Sequence, residues 1–212
     1  NSSPRILHHG AVTGTTGSCH RLQLDADNAI LIDCGLFQGA ETSGGDESDR
    51  QRIDFPIDDV RALVVTHVHI DHVGRLPYLL AAGFRGPIYC SKPSATLLPL
   101  VIEDALKVGF TRNERLIEAA LLMIRKETVA IDYNQWHTLI DNAARPVRLR
   151  LQRAGHILGS AYAEFDIGKG SRSQRIVFSG DLGAPHAPLL AAPKSPQRAD
   201  IVVLESTYGD RN

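Results

Sequence analysis

Arg21-Leu22-Gln23-Leu24-Asp25 alternates polar and apolar residues with the period of two that a half-buried strand requires, and Ala29-Ile30-Leu31-Ile32 is an unbroken apolar run. Asp27-Asn28 between them is a turn signal, so the segment predicts a hairpin whose second strand ends at Asp33. The Gly-rich stretch Thr42 to Asp49 has no apolar period and predicts a loop. Ala62-Leu63-Val64-Val65-Thr66 predicts a second buried strand. After Asp71 the period changes: Val73, Leu76, Leu79 and Leu80 lie at helical spacing, with Gly83 as the stop signal. Pro87 to Cys90 predicts a short strand, followed by two helices, Ser94 to Val108 and Asn113 to Ile131. Asn113 is the expected N-cap, Gly109 the break, and Pro99 leaves the start of the first helix open. Strands return at Val147–Leu151, Tyr162–Ile167, Ile176–Ser179 and Ile201–Leu204, with a proline-rich loop before the last. Strands at both ends with helices between them predict an α/β layered domain. Because the strands cluster into hairpins, two mixed sheets face to face with helices outside, an αββα sandwich, fit better than a doubly wound parallel sheet.

Composition narrows this picture only slightly. A chain of 212 residues with 43% apolar content can bury a sizeable core. It holds no apolar run long enough to span a bilayer, so no membrane partner is expected. A net charge of −1 gives no global pull on a polyanion, which would have to meet a local patch. Cys19, Cys34 and Cys90 are scattered and odd in number, which fits buried thiols in a reducing, cytoplasmic setting.

The chemistry concentrates in Thr66-His67-Val68-His69-Ile70-Asp71-His72, which packs three imidazoles and a carboxylate directly after a buried strand. Extended backbone would turn His67 and His69 to the same side, toward one ion. Asp71 and His72, at a helix start, would turn toward a second. Imidazole and carboxylate suit zinc, and two ions about 3.5–4 Å apart are the arrangement of a two-metal hydrolase. Manganese and iron also accept such donors. Three more positions complete the set. His156 lies between two glycines in Gly155-His156-Ile157-Leu158-Gly159, and Asp181 follows an apolar strand in Ser179-Gly180-Asp181. Asp33 ends its own strand and is expected to orient a ligand rather than bind the ion.

His67-Val68-His69-Ile70-Asp71-His72 resembles the HxHxDH signature of the metallo-β-lactamase superfamily, with Asp33, His156 and Asp181 following that family's order. A narrower resemblance rests on Val12-Thr13-Gly14-Thr15-Thr16-Gly17-Ser18-Cys19, Ile32-Asp33-Cys34-Gly35-Leu36-Phe37-Gln38-Gly39, His72-Val73-Gly74-Arg75-Leu76-Pro77 and Glu205-Ser206-Thr207-Tyr208-Gly209-Asp210. These are similar to the β-CASP branch of nucleases, which includes the cleavage and polyadenylation nuclease subunit and ribonuclease J. The resemblance implies that His67, His69 and His156 hold one zinc ion, that Asp71 and His72 hold a second, and that Asp181 bridges them. Asp71 would also orient the attacking water. Glu205 matches the branch's acidic motif, implied to orient a proton donor for the leaving group. The substrate implied is single-stranded RNA, with DNA the alternative.

The resemblance further implies that residues 1–212 are the N-terminal metallo-β-lactamase-like part of a longer chain. An inserted β-CASP domain and a closing segment would follow, the second metal site would be incomplete here, and the fragment alone would be a poor nuclease. Two rival readings stand beside this one. A small-molecule hydrolase of the same fold, acting on a thioester, lactone or β-lactam, would share the metal cluster. A non-catalytic scaffold subunit would be expected to have lost ligands. The arginines of Arg145-Pro146-Val147-Arg148-Leu149-Arg150-Leu151-Gln152-Arg153 fall on one face of a strand, and an ordinary solvated sheet face is a better account of them than a phosphate contact.

Overall fold

The computed structural model describes residues 3–39, 47–141 and 145–209. Its first sheet has six strands in the order β1 (Arg5–His8), β2 (His20–Gln23), β3 (Ala29–Ile32), β4 (Val60–Val64), β5 (Ile88–Ser91) and β6 (Thr128–Ile131). β1, β2 and β3 pair antiparallel, whereas β3, β4, β5 and β6 run parallel. The second sheet places β7 (His137–Ile140), β8 (Val147–Arg153), β9 (Ala161–Ile167) and β10 (Gln174–Phe178) in an antiparallel meander, with β11 (Ile201–Val203) parallel to β10 at the edge.

Strand period decides the layering. Leu31 and Leu63 join one apolar cluster, against Leu79, Leu98, Ile102, Ile117 and Ile124 of the helices. Their neighbours Ile30, Ile32 and Val64 join another, against Leu149, Leu151, Phe165 and Phe178 of the second sheet. β3 and β4 are therefore buried on both faces, which is why their sequences are continuous apolar runs rather than alternations. The two mixed sheets and outer helices expected from the sequence are present.

The helices are α1 (Glu47–Gln51), α2 (Ile70–Val73), α3 (Leu76–Ala81), α4 (Lys92–Gly109) and α5 (Glu114–Glu127). Asn113 caps α5 as expected, its side chain accepting from the Arg115 and Leu116 amides at 3.1 and 3.4 Å. Four expectations need correction. The helix expected after Asp71 is two helices: the Arg75 amide donates to the Cys34 carbonyl at 2.9 Å, and the Asp71 carbonyl it would have used accepts from Ser18 instead. α4 starts at Lys92, where Ser91 caps it, and Pro99 lies inside it. α5 stops at Glu127, and Thr128–Ile131 pairs with β5 as a strand. The loop expected over 42–49 lies largely outside the described residues, but its end from Glu47 is helical.

On the outer face of the second sheet two arginines of β8 are ion-paired. Arg148 pairs with Asp166 at 2.5 Å and Arg150 with Glu164 at 2.6 Å. Trp136 lies among three guanidiniums, those of Arg148, Arg150 and Arg175, 5.1, 4.5 and 4.6 Å from its ring centre. Asp166 also takes Arg175 at 3.2 Å, so three guanidiniums share two carboxylates on this sheet face. Cys19, Cys34 and Cys90 are buried free thiols. No helix among the described residues is long and apolar enough to cross a membrane.

Candidate metal centre

Three segments converge where strands end. The first runs on from β4 through Thr66 to α2 and carries His67, His69, Asp71 and His72. The second links β8 to β9 and carries His156; the third follows β10 and carries Asp181. One donor atom each from His67, His69, His156 and Asp181 lies within 4.8 Å of the others, and the same holds for Asp71, His72 and Asp181. Asp181 is common to both groups. One carboxylate oxygen faces His67 Nε2 at 3.7 Å and His156 Nε2 at 3.5 Å, while the other is 3.1 Å from His72 Nε2. His156 Nε2 lies 3.2 Å from His69 Nδ1.

Electrostatics argue that this arrangement suits a cation. His67 Nε2 is buried with no hydrogen-bond partner, an arrangement that costs free energy unless something else takes its lone pair. Burial, aided by neighbouring imidazoles, lowers the His67 pKa to about 2, so the ring is neutral and able to donate electrons. Burial and His156 likewise lower that of His69. Burial alone would lower His72 too, but the Asp33 and Asp181 carboxylates raise it to about 10. Burial works against ionisation of Asp181, yet its hydrogen bond with His72 and the imidazoles around it bring its pKa down to about 2. A proton on His72 thus holds the charge that the carboxylates demand. The donor chemistry, imidazole nitrogen with carboxylate oxygen, fits a divalent ion.

The supporting residues explain how the loops are held. Asp33, almost fully buried, accepts from the Thr66 amide, the Thr66 hydroxyl and His72 Nδ1, each at 2.7 Å. It thereby ties β3 to the His67–His72 segment and turns His72 Nε2 toward Asp181. The His156 loop is fastened from within and from below. Ser160 Oγ accepts from the His156 and Ile157 amides at 3.0 and 3.2 Å, and Ser91 and Ser94 donate to the Gly159 carbonyl at 2.6 and 3.1 Å. The Gly183 amide donates to the Ala154 carbonyl at 2.8 Å, so the Asp181 and His156 loops also bond to each other. A Cβ on Gly183 would lie 1.6 Å from the Gly155 carbonyl oxygen, so no side chain fits there. Glu205 Oε1 accepts from the Leu182 amide at 2.8 Å.

The family model described as Metallo-beta-lactamase superfamily matches residues 12–205. The chain belongs to the metallo-β-lactamase superfamily. Within it, the chain is 39% identical over 212 residues to Ribonuclease TTHA0252 of Thermus thermophilus, covering 98% of this chain and 44% of that protein. It is 33% identical over 217 residues to Transcription termination factor FttA of Methanothermobacter thermautotrophicus, covering 99% of this chain and 32% of that one. The FttA of Methanosarcina mazei gives 33% over 212 residues, with 98% and 32% covered. The chain thus spans less than half the length of these curated relatives.

All six residues singled out in the sequence as metal ligands of this superfamily domain come together, with Asp33 directly behind His72. Glu205 braces the backbone beside Asp181, a contact its position in the sequence did not disclose. Sequence reasoning missed Thr66, whose hydroxyl donates to Asp33, Ser91 and Ser94, whose hydroxyls reach the distant Gly159 carbonyl, and Ser160, whose hydroxyl accepts from two amides of its own loop. It also gave no role to His20, which lines a cavity beside the centre.

Proposed function

We propose that the protein carrying this chain is a metal-dependent phosphodiesterase that cleaves single-stranded RNA, and that residues 1–212 are its metallo-β-lactamase-like domain, with a β-CASP domain elsewhere in the protein. The observation that carries the reading is the convergence of two donor groups on Asp181 at the strand ends of a superfamily domain. The names of the relatives, a ribonuclease and a transcription termination factor, favour RNA over a small-molecule substrate.

In this reading His67, His69 and His156 take one zinc ion, Asp71 and His72 take the other, and Asp181 is shared. Manganese is the alternative metal. Such a pair acidifies water and offsets charge on the phosphoryl oxygens. The chain's own residues do the rest. Asp33 fixes the His72 ring, so that its Nε2 faces Asp181. Asp71 orients the attacking water. Glu205 acts near the leaving group while keeping the Asp181 loop in place. The three buried thiols suit a cytoplasmic setting.

The test is an assay of the whole protein on labelled single-stranded RNA, single-stranded DNA and a chromogenic β-lactam, with His67→Ala and Asp181→Ala as controls. RNA cleavage lost in both variants, each still folded, is the expected result. Rapid β-lactam turnover without nuclease activity would overturn the reading in favour of a small-molecule hydrolase.

A further inference from the structure

The His156 loop is held at its two ends by different means. At the far end Ser91 and Ser94 donate to the Gly159 carbonyl. At the near end Gly155 lies against the proline-rich segment that follows the Asp181 loop. A Cβ added to Gly155 would stand 2.8 Å from the Ala191 carbonyl oxygen and 3.0 Å from Pro193 Cδ, so this segment rests directly on the residue before His156. Gly183 closes on the carbonyl of the same glycine. Gly155 is thus enclosed by two segments, and the position of His156 depends on both.

The proline-rich segment has little of its own to keep it there. Residues 184–197 contain no helix or strand, and none of them is fully buried. A stretch with so little apolar burial opens easily unless something ties it down. Among the described residues, its hydrogen bond to the sheets is made at Lys194, whose carbonyl accepts from Tyr162 Oη at 2.6 Å. Tyr162 belongs to β9 and alternates with Ala161 and Ala163, which lie in the core between the sheets, so its ring is on the outer face. It is nonetheless only 4% exposed. Burial, with the Glu164 carboxylate, pushes its pKa up to about 12, so the hydroxyl keeps its proton and donates. The anchored Lys194 carbonyl is one residue from the Pro193 ring that touches Gly155, and the fixed φ of proline leaves little slack between anchor and contact.

We propose that Tyr162 is a positioning residue for the metal centre, its hydroxyl holding the 191–194 segment against Gly155 and thereby keeping His156 in place for the ion it shares with His67 and His69. The proposal rests on the metal assignment given above. The coupling runs through the Lys194 backbone, so the Lys194 side chain has no part in it.

The test is the zinc affinity of the whole protein, measured by competition with a chromophoric chelator, alongside its melting temperature. Tyr162→Phe keeps the ring and removes the hydroxyl. It is expected to weaken zinc binding about tenfold, as loss of a group that orients a ligand does. Pro193→Gly loosens the same contact from the solvent side and should give a similar loss. Lys194→Ala should bind zinc as the unaltered protein does, because the tie uses the backbone carbonyl. Unchanged zinc affinity in folded Tyr162→Phe, whatever its melting temperature, would overturn the proposal and leave the metal assignment standing. If Tyr162→Phe does not fold, unchanged affinity in Pro193→Gly overturns it in the same way. An unaltered protein that takes up no zinc would overturn both.

Discussion

Replacing Asp33 with asparagine separates the folding role of this residue from its role at the metal centre. The carboxylate accepts three hydrogen bonds in a place almost without solvent. An asparagine carbonyl still accepts from the Thr66 amide, and the Thr66 hydroxyl can rotate to accept from the new NH₂. His72 Nδ1 cannot adapt so simply, because N–H would face N–H. The ring must give up its Nδ1 proton and carry its hydrogen on Nε2, which is 3.1 Å from Asp181 and is the proposed ligand atom. One buried donor conflict costs about 1–3 kcal/mol, and misorienting a ligand weakens metal binding roughly 10–100-fold. Asp33→Ala should be worse, about 3–5 kcal/mol, because it leaves the buried His72 partner uncompensated. Alanine also fits poorly at the φ of +60° found here, a conformation that aspartate tolerates better. Urea unfolding followed by circular dichroism gives the stability term, and equilibrium dialysis gives metal content. Asp33→Asn with an unchanged midpoint and a full metal complement would refute the reasoning.

Three further outcomes are expected. His72 has a folded pKa raised to about 10, so its stabilising contribution is present below its unfolded value of about 6.5 and lost as pH rises through about 10. Chelator-treated protein should therefore lose thermal stability between pH 7 and 10, and metal uptake at pH 7 should release about one proton; a flat Tm profile with no proton release would contradict the assignment. Gly159→Ala should destabilise the protein by about 1–3 kcal/mol, since φ there is +85° and a Cβ would meet Ser94 Oγ at 2.7 Å, and metal retention by the His156 group should fall with it. Unchanged urea midpoint and metal content would show that the loop is not held as described. Glu205→Gln keeps an oxygen for the Leu182 amide and should slow cleavage while leaving Tm and metal content unaltered, whereas Glu205→Ala frees that amide and should reduce metal content as well. Equal effects of the two substitutions on metal content would argue against the brace.

The elements read most readily from the sequence are those whose burial imposes a period. β3 and β4, buried on both faces, and β8 and β9, which face the second sheet's core, carry unmistakable runs or alternations. The strands missed, β1, β6 and β7, are all sheet edges, where one neighbour is absent and exposed positions break the pattern. The Thr128–Ile131 error had a specific origin: the helix was carried past Glu127 although Thr128, Val129 and Ile131 are β-branched and suit the strand that pairs with β5. The break between α2 and α3 is different, since it depends on Ser18 taking the Asp71 carbonyl from across the fold. At the centre, the His67–His72 run and Asp181 were legible because ligands gather at strand ends. Ser91, Ser94 and Ser160 were not, because a hydroxyl gives no sign in sequence of the carbonyl or amide it will meet.

The chain contains one tryptophan, and its setting makes it an optical marker of a single layer. Trp136 is enclosed by arginines of β8 and β10 on the outer face of the second sheet, so its emission depends on those strands keeping their register. Fluorescence therefore watches the second sheet, while far-UV circular dichroism averages over both sheets and the helices. Coincident transitions by the two probes mean that the layers melt together as one cooperative unit. A tryptophan signal that moves first means that the sheet supplying His156 and Asp181 loosens while the layer supplying His67, His69 and His72 is still intact.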